Sequence, residues 1–501
     1  MRAAKSSDPK DYLEILSGTT QNVAGIVVAG LALIGAQVLM TRVLGAAGYG
    51  VVTLLTQATF VASFATRAGM DMAMLRTVAI AVGATSLAGV RAEVARAALI
   101  AVIMSAVVAL AAVAAPGGVL AAFSLDGGTG LVAAAALGLP FAAVTNVWLG
   151  ATRGLKIMRY TLYIFWAGQP LAWIAITLVV WTVSKTATAA VLAYSLSWAC
   201  AAAAAFLAWR KETASWPRGS LPEGFYGRLF RYATPRAPAA LLSQLVFWTD
   251  LFVLASFATQ AEVGVYSAAL RAGQIVMLFL TSVNLMFSPY VADLHARGER
   301  ARLDALFKTL TRWILAATAP AFILLAVAPE SMLQLFGGGF AEGERALLIL
   351  LAGQLVNIAT GSAGFVLIMA GRTGWDLVVI AAAVAVDVGL ALWLCPAYGM
   401  EGAAIANAMA FANANAMRLL LVRRFVAIEP YDRRFARILL PAAACFAVMW
   451  AVHAAVAGGW ATELAVTGVA GGVTYAVVYL VAGLTPGERR FARSLLGKVG
   501  I

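Results

Sequence analysis

The stretch ARAALIAVIMSAVVALAAVAA, Ala95 to Ala115, carries one charge, Arg96, and then nineteen residues without another. About 20 apolar residues are enough to cross a bilayer as a helix. Thirteen more such runs follow or precede it, giving candidate spans at 20–41, 48–68, 95–115, 129–151, 159–181, 188–209, 234–257 and 262–290, then 306–328, 345–370, 376–395, 401–422, 436–456 and 462–483. The whole chain of 501 residues is 62% hydrophobic and 12% charged, against roughly a quarter charged in a soluble domain. A water-soluble core cannot absorb that much apolar surface. The composition excludes a cytosolic enzyme, a secreted disulfide scaffold and a disordered protein. It predicts an all-α polytopic membrane protein of about 14 transmembrane helices.

Charge placement tests the count. With a cytoplasmic N-terminus and alternating sides, 32 of the 36 Lys and Arg fall on the cytoplasmic side. The outer side receives Arg42, Lys185 and Arg345, and Arg271 stays inside a span. Outer loops carry Asp126, Glu262, Glu330, Glu342, Glu344, Glu401 and Glu463 instead. One miscounted span would invert every later loop and spoil the asymmetry. The same rule accounts for the net charge of +13 without nucleic acid. Both termini are expected in the cytoplasm, and the first apolar run, which has no small-residue cleavage site, is expected to be a retained span. Cys200, Cys395 and Cys445 show neither metal spacing nor a disulfide framework.

The longest cytoplasmic linker contains Trp216-Pro217-Arg218-Gly219-Ser220. It divides an N-lobe, 1–209 with spans one to six, from a C-lobe, 234–425 with spans seven to twelve; the linker is 210–233, and 426–501 holds two extra spans and a tail. A short repeat supports the division: Ala47-Gly48-Tyr49-Gly50-Val51-Val52-Thr53 opens span two and Ala261-Glu262-Val263-Gly264-Val265-Tyr266-Ser267 opens span eight. Gly50 matches Gly264, Val51 matches Val265, and Thr53 matches Ser267. Six spans separate the copies, so both run the same way, a parallel duplication giving two pseudo-symmetric six-helix lobes.

Catalysis finds little support. His295 sits in a charged loop and His453 in a span, neither beside a nucleophile, and Gly337-Gly338-Gly339 reads as an outer turn without the Lys-Ser/Thr of a phosphate loop. Polar residues inside spans say more, since an arginine at a helix centre costs roughly 2.5–3.5 kcal/mol on insertion scales. Arg271, Gln274, Leu278 and Thr281 share one face of span eight, and the repeat-related face of span two holds Gln57, Phe60, Phe64 and Arg67. These faces line a central cavity, or Arg271 caps carbonyls or snorkels outward. Asp250 and Asp387 are the acids deepest in the membrane, each a protonation site for coupled transport, a partner for Arg271, or a buried hydrogen-bonding group. Gln354 and Asn357 in span ten, with Asn407, Asn413 and Asn415 in span twelve, either coordinate hydroxyl-rich cargo or join helices.

Three stretches carry a resemblance. Thr41-Arg42-Val43-Leu44-Gly45-Ala46-Ala47-Gly48-Tyr49-Gly50 resembles the "R-x-LG-x-x-x-YG" turn of the oligosaccharide (polysaccharide-unit) flippases of the multidrug/oligosaccharidyl-lipid/polysaccharide exporter superfamily. Leu335-Phe336-Gly337-Gly338-Gly339-Phe340, with Gly353-Gln354-Leu355-Val356-Asn357, and Pro396-Ala397-Tyr398-Gly399-Met400-Glu401-Gly402-Ala403-Ala404 are similar to two further motifs of that family. The resemblance implies two lobes forming a V that opens alternately to either side, and no catalytic residue or cofactor beyond a coupling proton or sodium ion. It implies as cargo a polyprenyl-pyrophosphate-linked sugar unit for lipopolysaccharide, exopolysaccharide or another cell-surface polysaccharide, carried across a bacterial plasma (inner) membrane, with other polysaccharide-assembly membrane proteins as candidate partners. Arg271 matches a span-eight cavity arginine of related flippases, and Arg67 would guard the cytoplasmic entrance. The first-span arginines of peptidoglycan-precursor flippases are absent, span one offering Asn22 and Gln37, which favours sugar-unit cargo. The alternatives are a drug or organic-cation antiporter of the same superfamily, which needs an acid buried in the first lobe where the sequence shows none, and a membrane polysaccharide polymerase or ligase, which needs a larger outer loop.

Overall fold

The computed structural model describes residues 9–234 and 236–484, with backbone alone for 9–29 and for six positions between 278 and 289. The side chains of Asn22 and Leu278 and the basic tail lie outside the described residues. Within them every regular element is a helix. Among the described residues nine helices are long and apolar enough to cross a membrane, and Gly338–Ala359 with Ala363–Met369, bent by 44°, makes a tenth.

Two of these helices each contain a pair of the expected spans. Pro9–Thr66 is interrupted at Gly45 (φ 68°) and Thr373–Phe425 at Gly399 (φ 53°). A positive φ is open to glycine at little strain, and both glycines belong to the motifs quoted above. The chain doubles back at each. Arg418 donates from Nε and Nη2 to Oδ1 of Asp376, at 3.3 and 3.2 Å, although the two residues would stand about 63 Å apart along one straight helix. Tyr49 Oη donates to Gln37 Oε1 at 2.8 Å across what would be about 18 Å of straight helix.

Spans seven and eight depart from expectation, since neither is a single helix. The first is split into Arg236–Leu245 and Thr249–Leu254, the second into Gln260–Gln274 and Met277–Ala296. Around both breaks the backbone tightens to i→i−3 bonds, at Phe247 and Trp248 and again at Ile275. Trp248 leaves helical geometry at φ −137°. Gly273, a poor helix former, precedes the second break.

Packing divides the chain into two units, Gly25–Ser267 with Asp387–Ala403, and Ala268–Val386 with Ala404 onward and the start of the first helix. The first unit has a core of small side chains around Met70, Met74, Val94, Ala97, Ala101, Trp148 and Trp209. Its linker is packed: a Cβ on Gly219 would stand 2.4 Å from the backbone nitrogen of Gly89. The repeat-related glycines meet in this unit. A Cβ on Gly50 would lie 2.1 Å from the carbonyl oxygen of Gln260, and one on Gly264 would lie 2.0 Å from that of Ala46. Each glycine therefore presses on the carbonyl four residues before the other, as two copies related by a local pseudo-twofold axis must. Small residues permit such backbone contact in membranes.

In the second unit Ile323, Val327, Cys445, Met449 and Tyr475 seat the last two spans on the helix Arg300–Val327. The outer faces of those spans leave Leu439, Trp450, Val469 and Val481 exposed, as lipid-facing helices do.

Candidate functional site

Four groups of polar side chains stand out among the described residues of the apolar body. In the first unit Asp250, Tyr266 and Asp387 are fully buried, with Cys395 beside them. The hydroxyl of Tyr266 donates to Oδ2 of Asp250. Asp387 interacts electrostatically with Asp250, whose backbone approaches it in a geometry short of a hydrogen bond. Cys395, two turns beyond Asp387, senses both acids. These residues come from spans seven, eight and eleven. Among the described residues no three His, Cys, Asp or Glu side chains gather as metal donors, so the arrangement is a carboxylate pair with a tyrosine hydroxyl.

In the same unit Gln57 is buried in the second half of the helix Pro9–Thr66, and Arg67 is buried just past its end. Arg67 is paired with Asp71, Nε to Oδ2, at 3.3 Å. Asp71 corrects the expectation of no buried acid in this half of the chain: it is 5% exposed, sheltered because an arginine four residues earlier shares its turn of chain.

The second unit holds Arg271, in the last turn of Gln260–Gln274, whose Nη1 donates to Gln274 Oε1 at 3.4 Å. It also holds a closed amide network. Asn357 Nδ2 donates to Gln354 Oε1 at 3.2 Å, and Asn415 Nδ2 donates to Asn357 Oδ1 at 3.1 Å and to the carbonyl of Phe411 at 2.9 Å. The Thr360 hydroxyl lies 3.0 Å from Asn415 Oδ1. The amides of spans ten and twelve thus satisfy one another across the helix pair. Asn415→Ala leaves the Asn357 carbonyl and the Thr360 hydroxyl without this partner, and is expected to lower stability by about 1–3 kcal/mol, read as a lower melting temperature in detergent. Asn407 is buried on the same helix outside this network.

Tyr266, Asp71, Arg153 and Cys395 were not among the residues sequence reasoning selected. Tyr266 had a signal: the first copy of the repeat has Val52 at its position, so the polar function sits where the copies differ. Arg153 and Cys395 had none, since the acids they stand beside, Asp71 and Asp250, are distant in sequence.

The pattern of the family described as "Polysaccharide biosynthesis protein" matches residues 16–295. A probable low-salt glycan biosynthesis flippase, Agl15 of Haloferax volcanii, is 25% identical over 202 residues, 40% of this chain and 43% of that protein's length. In fold, the chain is similar to the lipid II flippase MurJ in an inward closed conformation, with a TM-score of 0.73 at 12% identity over 96% of this chain and all of that one. It is similar also to an inward-facing multidrug resistance MATE transporter of the MOP superfamily, with a TM-score of 0.62 at 13% identity over 85% of this chain and 96% of that one.

Proposed function

Because the chain belongs to the polysaccharide biosynthesis protein family, we propose that it is a flippase carrying a polyprenyl-pyrophosphate-linked oligosaccharide from the cytoplasmic to the outer leaflet by alternating access, with both termini in the cytoplasm. The observation that carries this reading is Arg271, a permanent cation on a helix of a multi-pass membrane protein with the Gln274 amide beside it. A pyrophosphate cannot cross hydrocarbon unaided, and a guanidinium offers it a forked, always charged partner. The glycan flippase similar in sequence and the lipid II flippase similar in fold support a lipid-linked cargo. Gln57 and Arg67 serve as further cargo contacts. Gln354 and Asn357 belong to the frame in this reading, since Asn415 engages them. The exposed apolar faces of the last two spans shelter the polyprenyl tail.

Asp250 and Asp387 are the proposed seat of the coupling ion. Two buried carboxylates side by side repel each other unless a proton or a cation offsets their charge. An ion that binds them in one state better than in the other biases the transport cycle by that difference.

The test is transport of a labelled polyprenyl-pyrophosphate oligosaccharide in proteoliposomes under proton or sodium gradients. Wild type is expected to flip the lipid, faster under one of the gradients, and Asp387→Asn is expected to lose the response to that gradient. A well-folded wild type that flips nothing but exports an organic cation would overturn this reading in favour of the antiporter, which the multidrug transporter fold supports.

A further inference from the structure

At the end of the helix Pro9–Thr66 a second cationic group is built into the first unit. Arg67 is 3% exposed, its Nε is 3.3 Å from Asp71 Oδ2, and its guanidinium lies 3.6 Å from the centre of the Phe64 ring. Arg153 interacts electrostatically with both Arg67 and Asp71. Backbone packing holds the three in place. A Cβ on Gly150 would stand 2.3 Å from the carbonyl oxygen of Asp71, and one on Gly154 would stand 2.7 Å from that of Leu75. The helix Met70–Gly83 therefore rests directly on Thr129–Gly154, with Arg153 between the two glycines. Gly69, at φ 76°, makes the turn that returns Asp71 to Arg67.

Two guanidiniums share one carboxylate here, so one positive charge is left without a counter-charge inside the triad. Arg67 Nη1 and Arg153 Nε are buried and make no hydrogen bond. Glu93, another acid of this unit, faces Arg228 instead. A buried charge with unused donors is costly unless something completes it, and the donors on offer, two planar forks, match a phosphoryl group.

We propose that Arg67 and Arg153 form an anion subsite for a phosphoryl group of the cargo's pyrophosphate, with Asp71 the resident counter-charge that the ligand displaces. The identity of the ligand rests on the flippase reading; the subsite itself does not. Phe64 covers the Arg67 guanidinium and moves aside when the anion enters.

The test is calorimetric binding of inorganic pyrophosphate to the full-length protein in phosphatidylcholine nanodiscs. Arg67→Gln and Arg153→Gln are each expected to weaken binding about tenfold or more, with Arg153→Lys in between. Asp71→Asn is expected to tighten it about threefold to tenfold, because the competing carboxylate is gone. A structural role for the triad predicts the opposite sign for Asp71→Asn, and that outcome, or unchanged binding in both Gln variants, overturns the subsite. Competition by polyprenyl pyrophosphate supports the cargo as ligand, whereas competition by phosphatidylglycerol in the nanodisc assigns the site to lipid headgroups and overturns it. A wild type that binds pyrophosphate through these residues yet flips no labelled lipid would sink the flippase reading and leave the subsite standing. Normal flipping with pyrophosphate binding indifferent to Arg67 and Arg153 would do the reverse.

Discussion

Arg271→Ala is expected to slow flipping of the labelled lipid in proteoliposomes by about ten- to a hundredfold, the range for losing charge-assisted hydrogen bonds. Arg271→Lys is expected to keep part of the activity, because lysine retains the charge and loses the fork. The position allows a competing account. Arg271 lies in the last turn of Gln260–Gln274, just before the break at residues 275–276, where helix carbonyls leave a negative end that a cation stabilises. If that were its whole role, alanine would lower the melting temperature and leave the half-saturating lipid concentration untouched. A cargo contact predicts the converse: a raised half-saturation or a lowered rate in protein that melts as wild type does. The bond to Gln274 is long, at 3.4 Å, and made to a neutral amide, so a pyrophosphate oxygen is the stronger partner for the same N–H. Flipping at the wild-type rate in both variants would reduce Arg271 to a helix-end residue.

Much of the fold was legible because hydrocarbon imposes simple rules. Runs of about 20 apolar residues must be helices, and the glycines at 45 and 399 stand out in motifs where the chain turns back. What hydropathy cannot register is direction within a span. The runs at 234–257 and 262–290 read as straight helices, yet both break, the first just before Asp250, which accepts from the Tyr266 hydroxyl. Counting charges by side has a similar blind spot. Arg153 and Arg312 fall among the cytoplasmic bases by position, but Arg153 is folded in beside Asp71, and Arg312 is 2% exposed, 3.9 Å from Asp432.

The candidate site divides along the same line. Asp250 and Asp387 were each conspicuous as acids in apolar runs, and their meeting depends on span eleven packing beside span seven. For Gln354, Asn357 and Asn415 the sequence leaves ligand binding and helix joining open, because an amide serves either. Their mutual hydrogen bonds can be known only from the packing of the two helices.

The pseudo-symmetric crossing of Gly50 and Gly264 leads to the other large effect. Gly264→Ala is expected to reduce flipping about five- to a hundredfold and to lower the melting temperature, although alanine is the better helix former by about 1 kcal/mol. Helix propensity alone predicts the opposite sign, so the direction of the change is itself the test. The added Cβ would stand 2.0 Å from the Ala46 carbonyl oxygen, and a backbone atom cannot rotate away as a side chain can. Relief requires the two helices to separate, at a cost of about 1–3 kcal/mol for overpacking. If the transport cycle closes and opens at this crossing, a penalty of that size on one state alone shifts the balance between states about five- to a hundredfold. Gly50→Ala strikes the Gln260 carbonyl in the same way, and one separation of the helices relieves both overlaps. The double variant is therefore expected to cost less than the sum of the singles, a coupling that a double-mutant cycle measures directly. Strictly additive losses would mean that the glycines act at independent places, and wild-type melting and flipping in both single variants would remove the crossing from the mechanism.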